Sequence, residues 1–226
     1  MERNVVCDSS ALISLADTCN IGALKHITKE AGIGFLVTPA VKMEIISRPL
    51  TIRKYAFSAV RLQKVLNDNV LSMITSEQLH DKTQRVLELA NGLIRVDKKP
   101  IELVQIGEAE CVAIFSSASA QALLIDEKTT RLLIENPYRL RETIEAEYGH
   151  SEVSIDHDSL EEFASITKGI TCMRSCELLA YAYKKGFFDE YGDKKEEAFK
   201  AAIFSVREAG CGMTSAEMAE YEKMEF

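Results

Sequence analysis

The sequence has no tryptophan, only four prolines, and no apolar run near the roughly 20 residues that a membrane-spanning helix requires. It also lacks a basic N-terminal stretch leading into an apolar core, so a cytoplasmic protein with no membrane partner is expected. None of its six cysteines (Cys7, Cys19, Cys111, Cys172, Cys176 and Cys211) forms a C-x-x-C pair. With four histidines and no zinc-type spacing, this predicts reduced, mostly buried thiols and no structural zinc. Low-complexity tracts, internal repeats and long linkers are absent as well. Positive charge is in deficit, with 27 Lys and Arg against 35 Asp and Glu, a net of −8. That balance argues against a passive polyanion binder, whose affinity rests on neutralising phosphates. It does not exclude a nuclease, because metal ions at an acidic centre can receive the phosphate.

What is present reads as a single globular domain over residues 1–226. Asn4 to Asp8 predicts a strand, with Ser9 or Ser10 capping the helix after it. Phe35 to Thr38 predicts a second strand, with Pro39 at the first position of a helix through Ile46. The Arg48-Pro49 bond ends that helix. No proline falls between residues 52 and 93, and apolar residues recur there at three and four spacing. Two helices in a hairpin are expected, forming a helical insertion over about residues 50–100. A buried helix begins at Glu108, and Ala122 to Asp126 has the unbroken apolar character of an interior parallel strand. Later come helices divided at Asn136-Pro137, a helix from Ser159, a short strand at Ile170 to Met173, and a C-terminal helical extension over about residues 175–226. Strands alternating with helices indicate an α/β fold with a mostly parallel central sheet flanked by helices.

Acidic residues recur where the strands run out. Asp8 closes the first, Asp126 closes Ala122 to Ile125, Glu44 lies one turn into the helix after the second, and Glu108 opens a helix. Carboxyl ends of parallel neighbours lie on one sheet edge, so these side chains can converge. Two ionised carboxylates about 4 Å apart repel by roughly 4 kcal/mol at an effective dielectric near 20. A cluster of them calls for a hard cation such as Mg²⁺ or Mn²⁺, which shares its shell with water and phosphate. Each acid also has a structural use: Asp8 and Asp126 as helix caps, Glu44 as a solvated face residue, Glu108 as an anion favoured by a helix macrodipole. Glu110 does not share a helix face with Glu108.

The order of these segments resembles the PIN-domain nucleases, in the prokaryotic branch with a GEAE-type third motif. Val5-Val6-Cys7-Asp8-Ser9-Ser10 looks like the first motif of that family, and Val37-Thr38-Pro39-Ala40-Val41-Lys42-Met43-Glu44 like the second. Gly107-Glu108-Ala109-Glu110 is similar to the third and Leu123-Leu124-Ile125-Asp126 to the fourth, although Leu124 stands where a Thr is usual. Met173-Arg174-Ser175 with Lys184-Lys185-Gly186 resembles the family's ending. The resemblance implies a PIN-like three-layer fold and a metal-dependent endoribonuclease. It implies Asp8, Glu44, Glu108 and Asp126 as the catalytic and metal-holding acids, with Ser10 and Glu110 supporting. Glu110 stays open as a substitute for Glu108. Mg²⁺ or Mn²⁺ is the implied cofactor and RNA the implied substrate. A toxin role with an antitoxin partner, an RNA-processing role, and a homodimer are the further expectations.

Arg48, Lys128, Arg131 and Arg174 each adjoin a motif and are candidate phosphate contacts. The alternative is a catalytically weak PIN-like module that binds RNA or protein. Asp156-His157-Asp158 invites a second metal site but sits where helix caps are routine. Tyr181, Tyr183, Phe187 and Phe188 are read as helical core.

Overall fold

The first strand, β1 (Arg3–Cys7), is built from residues that become fully buried at its end, with Val6 and Cys7 inaccessible to solvent. Such a strand needs cover on both faces, which a parallel sheet between helical layers provides. The computed structural model of the chain describes residues 3–223. After β1 the chain forms α1 (Ser9–Asp17) and α2 (Gly22–Ala31), then β2 (Ile33–Val37). Thr38 caps the short α3 (Pro39–Lys42), with Pro39 at its start. The helix then widens into a π-helical turn, Met43–Ser47, which carries Glu44. Single π-turns are rare and cluster at functional sites.

The next segment departs from the expected helical insertion at about 50–100. Between α4 (Ala56–Asn67) and α5 (Leu79–Leu93) lies β3 (Leu71–Met73), which pairs in parallel with β2. A three-residue strand with only Leu71 buried has no readable period, so its sequence passes for a helix break. This stretch is thus part of the central sheet. It continues into β4 (Ile94–Val96) and β5 (Lys99–Pro100).

The chain goes on through α6 (Ile106–Phe115), β6 (Ala120–Leu124), α7 (Lys128–Glu135), α8 (Pro137–Tyr148) and β7 (Val153–Ile155). Asn136 caps α8 and Asp156 caps α9 (His157–Thr167), accepting from the Ser159 amide at 3.0 Å, so that acid serves as a helix cap. Then come β8 (Cys172–Met173), α10 (Ser175–Lys184), a 3-10 turn at Asp189–Lys194, α11 (Lys195–Glu208) and α12 (Ser215–Lys223). The C-terminal stretch from 175 is helical as expected, and its residues 224–226 lie outside the described ones.

The central sheet has the order β3-β2-β1-β6-β8, parallel throughout, and helices flank it, which makes the chain an α/β protein. A smaller antiparallel sheet, β5-β4-β7, is a feature the sequence reading did not contain. Helices α5, α6 and α9 pack on one another, and α10 packs on α1, α2 and α11. The aromatic run belongs to the core as read: Phe187 and Phe188 meet edge-on at 4.9 Å and Tyr183 lies 4.9 Å from Phe199. No described helix is long and apolar enough to cross a membrane. All six cysteines are free, and four of them are buried.

Candidate metal centre

Strand order fixes where a site can form. From β1 the chain moves outward to β2 and β3, then returns to β1's other side for β6 and β8. The reversal leaves a crevice beyond the carboxyl ends of β1 and β6, the usual ligand position in open parallel sheets. Asp8 follows β1 directly, and its amide donates to the Leu124 carbonyl at 2.8 Å, holding it against β6.

Asp8 caps α1 through one oxygen. Its Oδ2 accepts from the Ser10 amide at 2.9 Å and from the Ser10 hydroxyl at 2.5 Å. Its Oδ1 is buried and has no hydrogen-bond partner. An ionised oxygen in that state is strongly disfavoured without a cation or a proton. Burial pushes the Asp8 carboxyl up to about 6, against the Ser10 hydrogen bonds and with a further rise from the Glu44 charge. The Ser10 hydroxyl also accepts from the amides of Asp126 at 3.0 Å and Glu127 at 3.2 Å. It therefore ties the end of β1 to the turn after β6.

Glu44 reaches the same crevice from the π-helical turn. A Cβ on Gly107 would lie 2.7 Å from its Oε2 and 2.8 Å from its Oε1. Only a glycine in the first turn of α6 leaves room for this carboxylate. Glu108 is next along that turn, and its Oε2 accepts from the Gln105 amide at 2.7 Å. Burial, then the Asp8 charge, push the Glu108 carboxyl up to about 7, with Glu127 adding to the rise. Asp8 thus lies within electrostatic reach of both Glu44 and Glu108, and the like charges repel.

The other expected acids point elsewhere. Glu110 accepts from the Ala40 amide at 2.8 Å and so anchors the start of α3. Residues two apart on a helix diverge, so Glu108 faces the crevice and Glu110 does not. Asp126 is held by Ser175: its Oδ1 accepts from the Ser175 amide and its Oδ2 from the Ser175 hydroxyl, both at 2.7 Å. Its carboxylate is buried and pins the start of α10 to the end of β6. Its neighbour Glu127 is within electrostatic reach of Glu108 while capping α7 through the Thr129 and Thr130 amides at 2.8 and 2.6 Å. The sequence reading passed over Glu127. The Glu-Lys-Thr-Thr run after a strand was its only signal.

Among the described residues, no three His, Cys, Asp or Glu side chains are grouped tightly enough to hold a metal ion by themselves. The donor set still fits a hard cation that keeps most of its water, because Mg²⁺ is commonly held through one or two carboxylates. The unpartnered Asp8 oxygen beside two further carboxylates is the observation that carries this fit.

The candidate phosphate contacts also divide. Arg48 and Lys128 are exposed. Arg131 reaches Glu135 at 3.3 Å and the Gly212 carbonyl at 3.3 Å. Arg174 is a correction. It is buried, bonded to Glu177, to Glu217 at 2.9 Å and to the Gly212 carbonyl at 2.9 Å, so it locks the C-terminal segment and has no face for a substrate. The fold defines an α/β protein, with Asp8, Glu44 and Glu108 near one another at the switch point of its parallel sheet. No family model, curated protein or solved structure matches the chain.

Proposed function

We propose that the protein is a metal-dependent endoribonuclease of PIN-like type, with Asp8, Glu44 and Glu108 holding Mg²⁺ or Mn²⁺. The reading rests above all on Asp8 Oδ1, a buried carboxylate oxygen with no protein partner at the crevice. Such an ion supplies an activated water and charge neutralisation at a phosphodiester. Asp8 presents its free oxygen because Ser10 occupies the other one. Glu44 and Glu108 place further negative charge beside it, which raises affinity for a cation and repels an unaccompanied phosphate. Glu127 extends the acidic rim toward Lys128, the first exposed cation beyond it.

RNA as substrate, a toxin or processing role, an antitoxin partner and a dimer all belong to this proposal through the family resemblance. The test is cleavage of single-stranded RNA with Mg²⁺ or Mn²⁺, with EDTA and Asp8→Asn as controls. Cleavage that survives Asp8→Asn would remove the assigned centre. A second reading, a weak or silent module that binds without cutting, draws support from Asp126, each of whose carboxylate oxygens accepts a hydrogen bond from Ser175. Metal binding and RNA binding without turnover would favour it.

A further inference from the structure

Two cavities meet at Lys128, and their linings differ in chemistry. One, of about 450 Å³, is lined by Lys128, Arg131 and Arg139 together with Gly212 and Thr214. In a chain with net charge −8, three cations line this one cavity, with Arg131 paired to Glu135 at 3.3 Å and the other two open to solvent. Lys128 and Arg139 are exposed and make no ion pair among the described residues. The Arg131 Nε is buried without a hydrogen-bond partner. Glu217 also lines this cavity, but its carboxylate is bound to Arg174 and to the Thr214 amide and hydroxyl. The wall is held against the turn that follows β6. A Cβ on Gly212 would lie 3.2 Å from the Asp126 carbonyl oxygen and 3.4 Å from Lys128 Cβ.

The second cavity, of about 380 Å³, shares Lys128 and Leu132 with the first; its other walls carry Leu140, Tyr148, the hydroxyls of Thr129 and Thr143, and the carboxylates of Glu102 and Glu147. Carboxylates repel a phosphate, yet they accept hydrogen bonds from exocyclic base amines. Apolar and aromatic walls suit a flat base.

We propose that these cavities form a nucleotide subsite for single-stranded nucleic acid: a backbone phosphate sits between Lys128, Arg131 and Arg139, and the adjoining base enters the Tyr148 chamber. Glu102 and Glu147 then select amine-bearing bases, so cytosine is preferred over uracil. The assignment deepens the nuclease reading by giving it a flanking-nucleotide preference, but the subsite is testable without cleavage.

The experiment is binding of fluorescent oligo(C) and oligo(U) to the full chain in EDTA across a salt series. Arg139→Gln should weaken both ligands by about three- to tenfold and lower the salt slope by about one. Glu147→Gln should leave oligo(U) binding in place and shrink the preference for oligo(C) at least threefold. Inorganic phosphate and cytidine monophosphate serve as competitors. Full displacement by inorganic phosphate at micromolar concentration would assign a small-anion site and overturn the proposal. So would binding unaffected by Arg139→Gln, or the absence of salt-dependent binding. Binding as expected with no metal-dependent cleavage would keep the subsite and remove the nuclease. Cleavage with an unaltered Arg139→Gln variant would do the reverse.

Discussion

Gly107 and Glu44 are in contact in a way that no other residue at position 107 would permit: the carboxylate of one occupies the place of a side chain on the other. Gly107→Ala forces Glu44 out of the crevice or shifts α6. Because the new atom meets a flexible carboxylate, the fold should survive, with an unchanged far-ultraviolet circular dichroism spectrum. Metal affinity and any cleavage should fall about 10- to 100-fold, as expected when a supporting contact of a metal site is lost. A variant with wild-type Mn²⁺ affinity by calorimetry would mean that Glu44 has no part in holding the ion.

Burial of the acids, with their mutual repulsion added to it, makes a stability prediction of unusual sign. Asp8 rises from its ordinary 3.8 to about 6 and Glu108 from 4.5 to about 7. A raised carboxyl stabilises the fold below its unfolded value, and that contribution is lost as pH climbs through the folded one. The metal-free protein should therefore lose stability between pH 4 and 7 on account of these two groups. Asp8→Asn should raise the melting temperature in EDTA at pH 7.5, with on the order of 2 kcal/mol gained. Added Mg²⁺ should stabilise the wild type and leave the variant unmoved. Thermal unfolding with and without metal reads both effects.

Asp126 and Ser175 predict the opposite behaviour. Removing the Ser175 hydroxyl leaves one oxygen of a buried carboxylate without its donor, so Ser175→Ala should destabilise by about 1–3 kcal/mol. Asp126→Ala should destabilise more, since it also frees the start of α10. Neither should abolish Mg²⁺ binding, a distinction that urea unfolding and metal titration on the same samples can draw.

Acid should loosen the C-terminal segment first. The Arg174 guanidinium and the Thr214 donors hold the Glu217 carboxyl down at about 2, against the opposing effect of its partial burial. A depressed carboxyl stabilises above its unfolded value of 4.5, and the contribution disappears as pH falls from there toward 2. Hydrogen exchange in α12 should accelerate over that window in the wild type and be fast at all pH values in Glu217→Gln. Equal exchange in the two proteins would show that this ion pair does not secure the helix.

Legibility in the sequence followed the strength of local signals. The apolar run ending at Asp8 and the one ending at Ile125 marked interior strands, Pro39 marked a helix start and Asn136-Pro137 a division between helices, all of which recur in the structure. Leu71–Met73 and the small sheet at Ile94–Val96 were illegible, because strands of three residues have too few alternations to show a period. Among the acids, spacing along a helix separated Glu108 from Glu110. It had no bearing on Asp126, whose orientation depends on Ser175, 49 residues away. Arg174 was misread for the same reason, since its partners Glu217 and Gly212 come from the far end of the chain.

The Ser10 hydroxyl, donating to Asp8 while accepting from the Asp126 and Glu127 amides, works as a neutral brace across the mouth of the crevice. A hydroxyl neither gains nor loses charge over the pH range in which the surrounding acids titrate. The span between the two strand ends is therefore set by a group that carries no charge of its own anywhere in that range. The floor of the crevice can keep its shape while its electrical character changes.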